Sequence, residues 1–394
     1  MRKKILLLGG SAQQIIAIET AKRLGYYTIL CDYLTDNPGQ YHADKFYLVS
    51  TTDKEAVLKV AEDEAINGIV AYASDPAAPT AAYVAEKLDL PGNPFETVNT
   101  FCNKDQFRRF LENNGFNTPQ FKSFTNVQDV NIRGIDFPVI VKPVDSSGSK
   151  GVTVVRDSRN IQKAVDFAFS FSHSHRIVIE NFIEKAHPYL IGGDIFVKDG
   201  KVVLWGLLNC HRDNHVNPLV PVGKSFPVEL APEDEQLARM TLQKMVTCSG
   251  FRTGAMNVEL VIDKNHQCWL LDIGPRNGGN MIPDLLGYIF GIDIIEMTIK
   301  AAMGEVISEE VYYATHNLHA DRDGIFQDVV FDSELDQYII QRNIYKKTGD
   351  MIHVFSNASD SLGIVFMRFP NKKIMDYFLN SINDYIQVNI QNEK

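Results

Sequence analysis

Short apolar runs alternate with amphipathic stretches from the N-terminus onward. KILLLGG reads as a buried strand, and the spacing of apolar positions over residues 13–24 predicts a helix. YYTILCD, KFYLVS and GIVAYAS read as further strands, with helices over KEAVLKVAEDEA and TAAYVAEKL between or after them. Strands alternating with helices predict an open, mostly parallel α/β sheet whose ligands lie beyond the carboxyl ends of its strands. The style then changes. A helix runs from NKDQF to Gly115 with Asn103 as its expected cap, and FPVIVKPVDSSGSKGVTVV predicts two strands joined by a glycine- and serine-rich loop. An amphipathic helix around IQKAVDFAFSF, the strand RIVIENFI and a hairpin through KDG follow. A long helix, EDEQLARMTLQKMVTCSG, precedes the strands MNVELVID and CWLLDIG. From residue 311 the pattern predicts a further α+β unit, with strands at FQDVVF, MIHVFS and LGIVFMRF and a helix over IMDYFLNSINDYI.

With 394 residues, the chain has room for two or three domains, each with its own core. Apolar residues make up 45 % of it and charged residues 22 %, the balance of an ordinary globular protein. A formal charge of −10 argues against nucleic acid as a partner, and the one basic cluster, in FPNKKIMDYF, reads as a solvated helix start. No apolar run approaches the length of a membrane span. MRKKILLLGG continues into an amphipathic helix with no small-residue cleavage site, so it reads as a first strand rather than an export signal. Cys31, Cys102, Cys210, Cys248 and Cys268 are widely scattered, which disfavours disulfides or a zinc cluster and makes a reducing cytoplasm the expectation.

Two motifs fail on inspection. Gly9 and Gly10 follow the first strand and Asp32 ends the second, as in dinucleotide-binding folds, but LGGSAQQ lacks the third glycine of that fingerprint. Asp32 is expected to cap its strand, leaving Ser11 and Gln14 as options for a small polar ligand. His211 and His215 are four apart, but they follow a strand and precede NPLVP, so their spacing does not build a zinc site.

What remains carries chemistry. Lys142 ends a strand directly before Ser146, Ser147, Gly148, Ser149 and Gly151, whose hydroxyls and unhindered amides suit phosphate oxygens. Its order is not that of a P-loop, and a plain glycine-rich hairpin with a solvent-facing lysine is the alternative. Glu259 and Asp272 each interrupt an apolar strand, and two neighbouring carboxylates repel unless a cation such as Mg²⁺ lies between them. Arg276 stands just beyond the second acid, where a guanidinium suits a transferring phosphoryl group.

Taken together these motifs resemble the ATP-grasp superfamily of carboxylate–amine ligases, with the patterns of phosphoribosylglycinamide synthetase, biotin carboxylase and the carbamoyl phosphate synthetase large chain over nearly the whole sequence. The resemblance implies an N-terminal pre-grasp α/β domain over 1–98, an ATP-grasp domain over 99–310 with a lid near 120–187, and a small α+β domain over 311–394. It implies ATP, with Mg²⁺ or alternatively Mn²⁺, as cofactors, Lys104 and Lys142 as phosphate lysines, and Glu180-Asn181-Phe182-Ile183 as the adenine hinge. Glu184 and His187 are both options for the ribose contact. Glu259 and Asp272 map onto the metal pair and Arg276 onto the phosphate arginine. The family pattern E-x-N-x-R departs here to DIGPR, so Gly274 lacks the asparagine side chain, and water, Asn280 or Asn257 is expected to compensate. The implied reaction forms an acylphosphate from a small carboxylate and passes it to an amine, with no protein nucleophile. Carboxylase-like or other phosphotransfer chemistry, or a nucleotide-binding protein with reduced catalysis, are the alternatives. The expected partners are therefore small-molecule substrates, neither nucleic acid nor membrane, with a homodimer left open. CHRDNH and HNLHADRDG are equally readable as acceptor-facing segments or as hydrated loops.

Overall fold

The computed structural model describes residues 2–391 apart from 147, 214–216, 308–311 and 358–359. They form two compact units, residues 1–307 and 308–394.

The first unit opens with β1 (Lys4–Leu8), α1 (Ile15–Arg23), β2 (Tyr27–Asp32), β3 (Lys45–Leu48), α2 (Lys54–Glu64), β4 (Gly68–Val70) and α3 (Ala78–Lys87). The four strands make a parallel sheet in the order β3-β2-β1-β4. β4 is shorter than its apolar run, because the chain turns into the left-handed region at Ala73 (φ 52°). Two helices follow, α4 (Phe95–Cys102) and α5 (Lys104–Asn113). The hydrophobic pattern revealed only the second of these. The expected first-domain boundary at residue 98 falls inside α4.

The strand ends of this sheet are closed by their own side chains. Asp32 accepts hydrogen bonds from the amides of Gly10 and Leu34, so it does cap its strand. Gln14 is buried; its amide nitrogen donates to the carbonyls of Leu8 and Tyr72, and its oxygen accepts from Ser11. Gln14 and Ser11 thus tie β1 to the segment after β4, and this overturns their reading as ligand contacts.

Four strands, β5 (Phe121–Phe124), β6 (Val139–Pro143), β7 (Thr153–Val155) and β8 (Ile177–Asn181), form an antiparallel sheet in the order β5-β8-β6-β7. α6 (Ile161–Phe171) buries Val165 and Ala168 against Val139, Val141 and Ile179 of that sheet. The larger sheet follows, with β9 (Leu190–Lys198), β10 (Lys201–Asp213), β11 (Asn217–Ser225), β12 (Gly254–Ile262) and β13 (Cys268–Gly274) in the order β11-β10-β9-β12-β13. α7 (Pro232–Ser249) packs Leu242, Met245 and Val246 beneath it. The KDG hairpin joins β9 to β10 with Asp199 and Gly200 both at positive φ, as a tight antiparallel turn requires. α8 (Ile282–Phe290) and α9 (Ile294–Ala302) close the unit. Ile295 and Ile299 of α9 share one core cluster with Ile5 and Leu7 of β1, so the first sheet draws part of its core from residues far beyond it in sequence.

The second unit contains β14 (Tyr312–Leu318), β15 (Gly324–Phe331), α10 (Ser333–Asp336), β16 (Ile339–Ile344), β17 (Met351–Ile352), β18 (Gly363–Phe369), α11 (Lys372–Asn380), α12 (Ile382–Tyr385) and β19 (Ile386–Gln391). They form two three-stranded sheets, β14-β18-β16 and β17-β15-β19, around Phe326, Val365, Met367, Phe369 and Phe378. The single helix expected over IMDYFLNSINDYI breaks at Ser381, and its end leads into a strand.

Candidate active site

The site is built where the smaller antiparallel sheet meets the larger one. Lys142 lies near the end of β6, buried, with its ammonium on the Glu180 carboxylate of β8. The opposite side of Glu180 is held by Arg108 of α5 through Nε at 2.8 Å and Nη2 at 3.1 Å. Arg108 is fully buried and also donates to the carbonyls of Leu270 and Leu271 on β13. One side chain therefore fastens α5 to both sheets. Burial alone would raise the Glu180 carboxyl, but Arg108 and Lys142 outweigh it and hold it well below the ordinary carboxylate range. Burial pulls Lys142 below the usual lysine range, with Glu180 only partly restoring it. Two cations share one anion here, which leaves an excess positive charge for an anionic ligand.

Glu259 and Asp272 are direct cross-strand partners on β12 and β13. Lys104, at the start of α5, places Nζ 3.5 Å from Asp272 Oδ1 and donates to the Ser146 carbonyl at 3.0 Å. Arg212 of β10 approaches Glu259 at 3.4 Å, and its other terminal nitrogen, Nη1, is buried with no hydrogen-bond partner among the described residues. A buried, unpaired guanidinium nitrogen is costly unless a ligand completes it. All of these except Arg108 line one cavity of about 600 Å³, together with Phe182 and Ile183. That volume suits a nucleotide.

The loop after Lys142 lies across this cavity. Ser146, Gly148 and Ser149 contribute to its wall, Ser149 Oγ donates to the Leu219 carbonyl of β11, and Ser146 Oγ donates to the Lys150 carbonyl. Ser147 lies outside the described residues, as does His215. Gly151 has φ 74°, and a Cβ there would stand 2.8 Å from Pro143 Cγ, so no other residue fits. In the hinge segment the amides of Asn181 and Phe182 donate to Gln120 and Pro138, and the Ile183 amide has no described partner. The Glu180 carboxylate is committed to Arg108 and Lys142, which leaves the backbone of the hinge segment to face a base. His187 is corrected. Its Nε2 accepts the Ile262 amide at 3.0 Å, and the cavity wall includes Glu184 and Lys185 instead. Burial lowers its pKa below the histidine norm, in keeping with a neutral acceptor ring.

LLDIGPRNGGN differs most from expectation. Asn280 is exposed, its backbone amide donates to Gln13 Oε1, and it is not part of the wall of the cavity that holds the acid pair. Asn257 donates to the Gly193 carbonyl and to Asp194. Neither replaces the missing asparagine as expected. The space beside Gly274 is filled instead from the first sheet. Asp75, in the segment after β4, forms an ion pair with Arg276, and a Cβ on Gly274 would meet Asp75 Oδ1 at 2.6 Å and Arg276 Cζ at 2.9 Å. Gly274 is therefore the residue that admits this pair. Asp194 of β9, fully buried, accepts the Gly278 amide on both oxygens and so pins the turn. Burial lifts its carboxyl to about 6. Arg108, Asp194 and Asp75 escaped sequence reasoning because their partners lie far off in the chain, and Arg212 was legible only as part of CHRDNH. An arginine four residues after Lys104 in a helix that must face the sheet was the one available signal.

Residues 103–310, more than half of the chain, match the model of the family described as carbamoyl-phosphate synthase L chain, ATP binding domain. The chain belongs to that family. Its fold is that of the ATP-grasp ligases, and the family implies a nucleotide and divalent-cation site. An uncharacterised protein of Sinorhizobium fredii is 25 % identical over 95 % of this chain and 80 % of its own length. A formate-dependent phosphoribosylglycinamide formyltransferase of Prochlorococcus marinus is 32 % identical, the match covering 46 % of this chain and 48 % of that protein. The crystal structure of an L-amino acid ligase from Bacillus licheniformis superposes with a TM-score of 0.65 at 21 % identity, covering 99 % of each chain. Within the family's ATP-binding region, Glu259, Asp272, Lys142 and Arg276 all fall inside the matched residues. Among the described residues no helix is long and apolar enough to cross a membrane.

Proposed function

We propose that this protein is an ATP-dependent ligase that activates a small carboxylate as an acylphosphate and transfers the acyl group to an amine, releasing ADP and phosphate. The observation that supports this reading best is the pairing of Glu259 with Asp272 across adjacent strands inside a cavity that also holds Lys104, Lys142 and Arg212. Two acids facing each other among cations suit a divalent ion and a polyphosphate together. Mg²⁺ held by Glu259 and Asp272 would neutralise charge on the outer phosphates. Lys142 and Lys104 hold the phosphate chain in place, and the loop over 146–151 excludes water from it. A carboxylate oxygen attacks the terminal phosphorus and ADP leaves with the bonding electrons. The amine then attacks the acyl carbon, the bond to phosphate breaks, and phosphate departs. Positioning and charge supply the catalysis.

The experiment is an ADP-release screen over paired carboxylates and amines with Mg²⁺. ADP is expected only when a matching pair is present, and D272N is expected to lower kcat by about 10²-fold or more, as for loss of a charge-stabilising group. ADP release that needs bicarbonate alone would move the assignment to carboxylation. Turnover in D272N equal to wild type would remove the metal role from the acid pair.

A further inference from the structure

A second cavity, of about 270 Å³, shares the wall residues Lys104, Ser146 and Asp272 with the first. Its remaining wall is apolar at Pro76, Pro79 and Phe101 and acidic at Asp75 and Asp145. Among the described lining residues Lys104 is the one permanently charged cation, against the three carboxylates Asp75, Asp145 and Asp272. Most of these groups are already occupied. Asp145 accepts from Ser172 Oγ and the Ser174 amide, and Lys104 holds the Ser146 carbonyl and faces Asp272. Asp75 is different. One of its oxygens is on Arg276, while Oδ1 accepts no hydrogen bond from any described residue.

Anion-binding features are equally scarce. Arg276 is not part of this cavity's wall and its charge is paired with Asp75, although its buried Nε has no partner among the described residues. The helix starts at this wall offer few free donors: Pro76 and Pro79 have no N–H, the Ala78 amide bonds Ser74, and the Lys104 amide bonds Val144. A phosphomonoester carries close to two negative charges and needs guanidinium forks or free amides.

We propose that Asp75 Oδ1 receives the amino group of the acceptor, and that this acceptor is a primary amine bearing no phosphate. The proposal rests on the ligase reading, and it names the acceptor class of that same site. Asp75 hydrogen-bonds and orients the amine across Lys104 and Asp272 from the nucleotide cavity. As nitrogen attacks the acyl carbon the C–N bond forms, the C–O bond to phosphate breaks, and phosphate leaves with that electron pair. The proton shed by nitrogen passes to Asp75 Oδ1, a carboxylate oxygen on this wall with no described hydrogen-bond donor. Gly274 belongs to the same device, since any side chain there would displace Asp75.

The test is calorimetric titration of the protein with Mg-ADP bound, using matched amines: serine and phosphoserine, ethanolamine and phosphoethanolamine, glucosamine and glucosamine 6-phosphate. Within at least one pair the unphosphorylated member is expected to bind and the phosphorylated member to bind at least about tenfold more weakly, equivalent to about 1.4 kcal/mol. In D75N, with Mg-ADP titration as the folding control, amine affinity is expected to fall about tenfold and the phosphorylated member to gain relative to its partner, because Arg276 is released. A merely structural Asp75 would not reverse that preference. Tighter binding of the phosphorylated members, unchanged affinities in D75N, or no binding by any amine overturns the proposal. Should D75N fail the folding control, the wild-type pairs decide alone. Hydroxylamine trapping with wild-type protein, Mg-ATP and the carboxylate panel tests the ligase reading separately: no hydroxamate from any carboxylate defeats acylphosphate formation, whereas hydroxamate without the amine preference defeats only the assignment of Asp75.

Discussion

At the scale of single residues, the Arg108–Glu180–Lys142 group separates stability from function. E180Q leaves two buried cations without their anion and is expected to cost about 3–5 kcal/mol in chemical denaturation. K142M removes a desolvated charge while Glu180 keeps Arg108, so stability is expected to stay level or rise by about 1 kcal/mol. Turnover should collapse in the same variant, and a parallel loss of both would make Lys142 a structural residue. Asp194 gives a pH signature of opposite sign to an ordinary paired carboxylate. Burial is the dominant cause of its raised pKa, and the Gly278 and Asn257 donors offset it in part. A carboxyl raised in the folded state contributes stability below its unfolded value and loses it as pH climbs through about 6. Between about pH 4 and pH 6, wild type is therefore expected to lose about 2–3 kcal/mol relative to D194N, and superimposable pH–stability curves would contradict the shift.

At the scale of elements, the loop between β6 and β7 is held by few contacts of its own. Asp145, at its start, accepts from Ser172 and Ser174, but over 146–151 the described side-chain bonds are Ser149 Oγ on Leu219, Ser146 Oγ on Lys150 and Lys104 on the Ser146 carbonyl, and Lys150 is exposed. Tryptic cleavage after Lys150 is expected to slow when Mg-ATP binds, and identical digestion with and without nucleotide would deny the loop its covering role. The sequence disclosed this element as a loop between two strands, because its serines and glycines interrupt the apolar runs on either side. It disclosed the acid pair as two neighbouring strands but not their register. The short turn after β12 sets Leu260 opposite Leu270, and the irregularity at the next step passes over Leu271 and brings Glu259 opposite Asp272.

At the scale of the whole chain, α9 matters more than its position suggests. Ile295, Ile299 and Met303 complete the core that Ile5, Leu7 and Ile18 begin, and Arg23 of α1 is paired with Asp293 and Glu296. A fragment of residues 1–98 is therefore expected to expose that apolar face and fail to fold. A fragment of residues 1–307 carries all of this core and is expected to bind Mg-ADP, as measured by calorimetry. A cooperatively folded 1–98 fragment would show that the α9 contact adds little.

The sequence by itself determined the local periods: which runs are strands or helices, where glycine must turn, and which charged residues interrupt apolar strands. Those properties depend on neighbours within a few positions, and they were enough for the α/β order, the loop after Lys142, the two acids on neighbouring strands and the family likeness. Tertiary structure decided what depends on partners distant in the chain. Arg108 meets Glu180 and Asp75 meets Arg276 only because separate sheets converge, and neither pairing leaves a local pattern. The same convergence turned the His187 ring to the Ile262 amide and tied the Asn280 backbone to Gln13, both away from the cavity wall. It also explains Gly274. In sequence this residue is a missing asparagine; in the fold it is the space that a carboxylate from another sheet must enter.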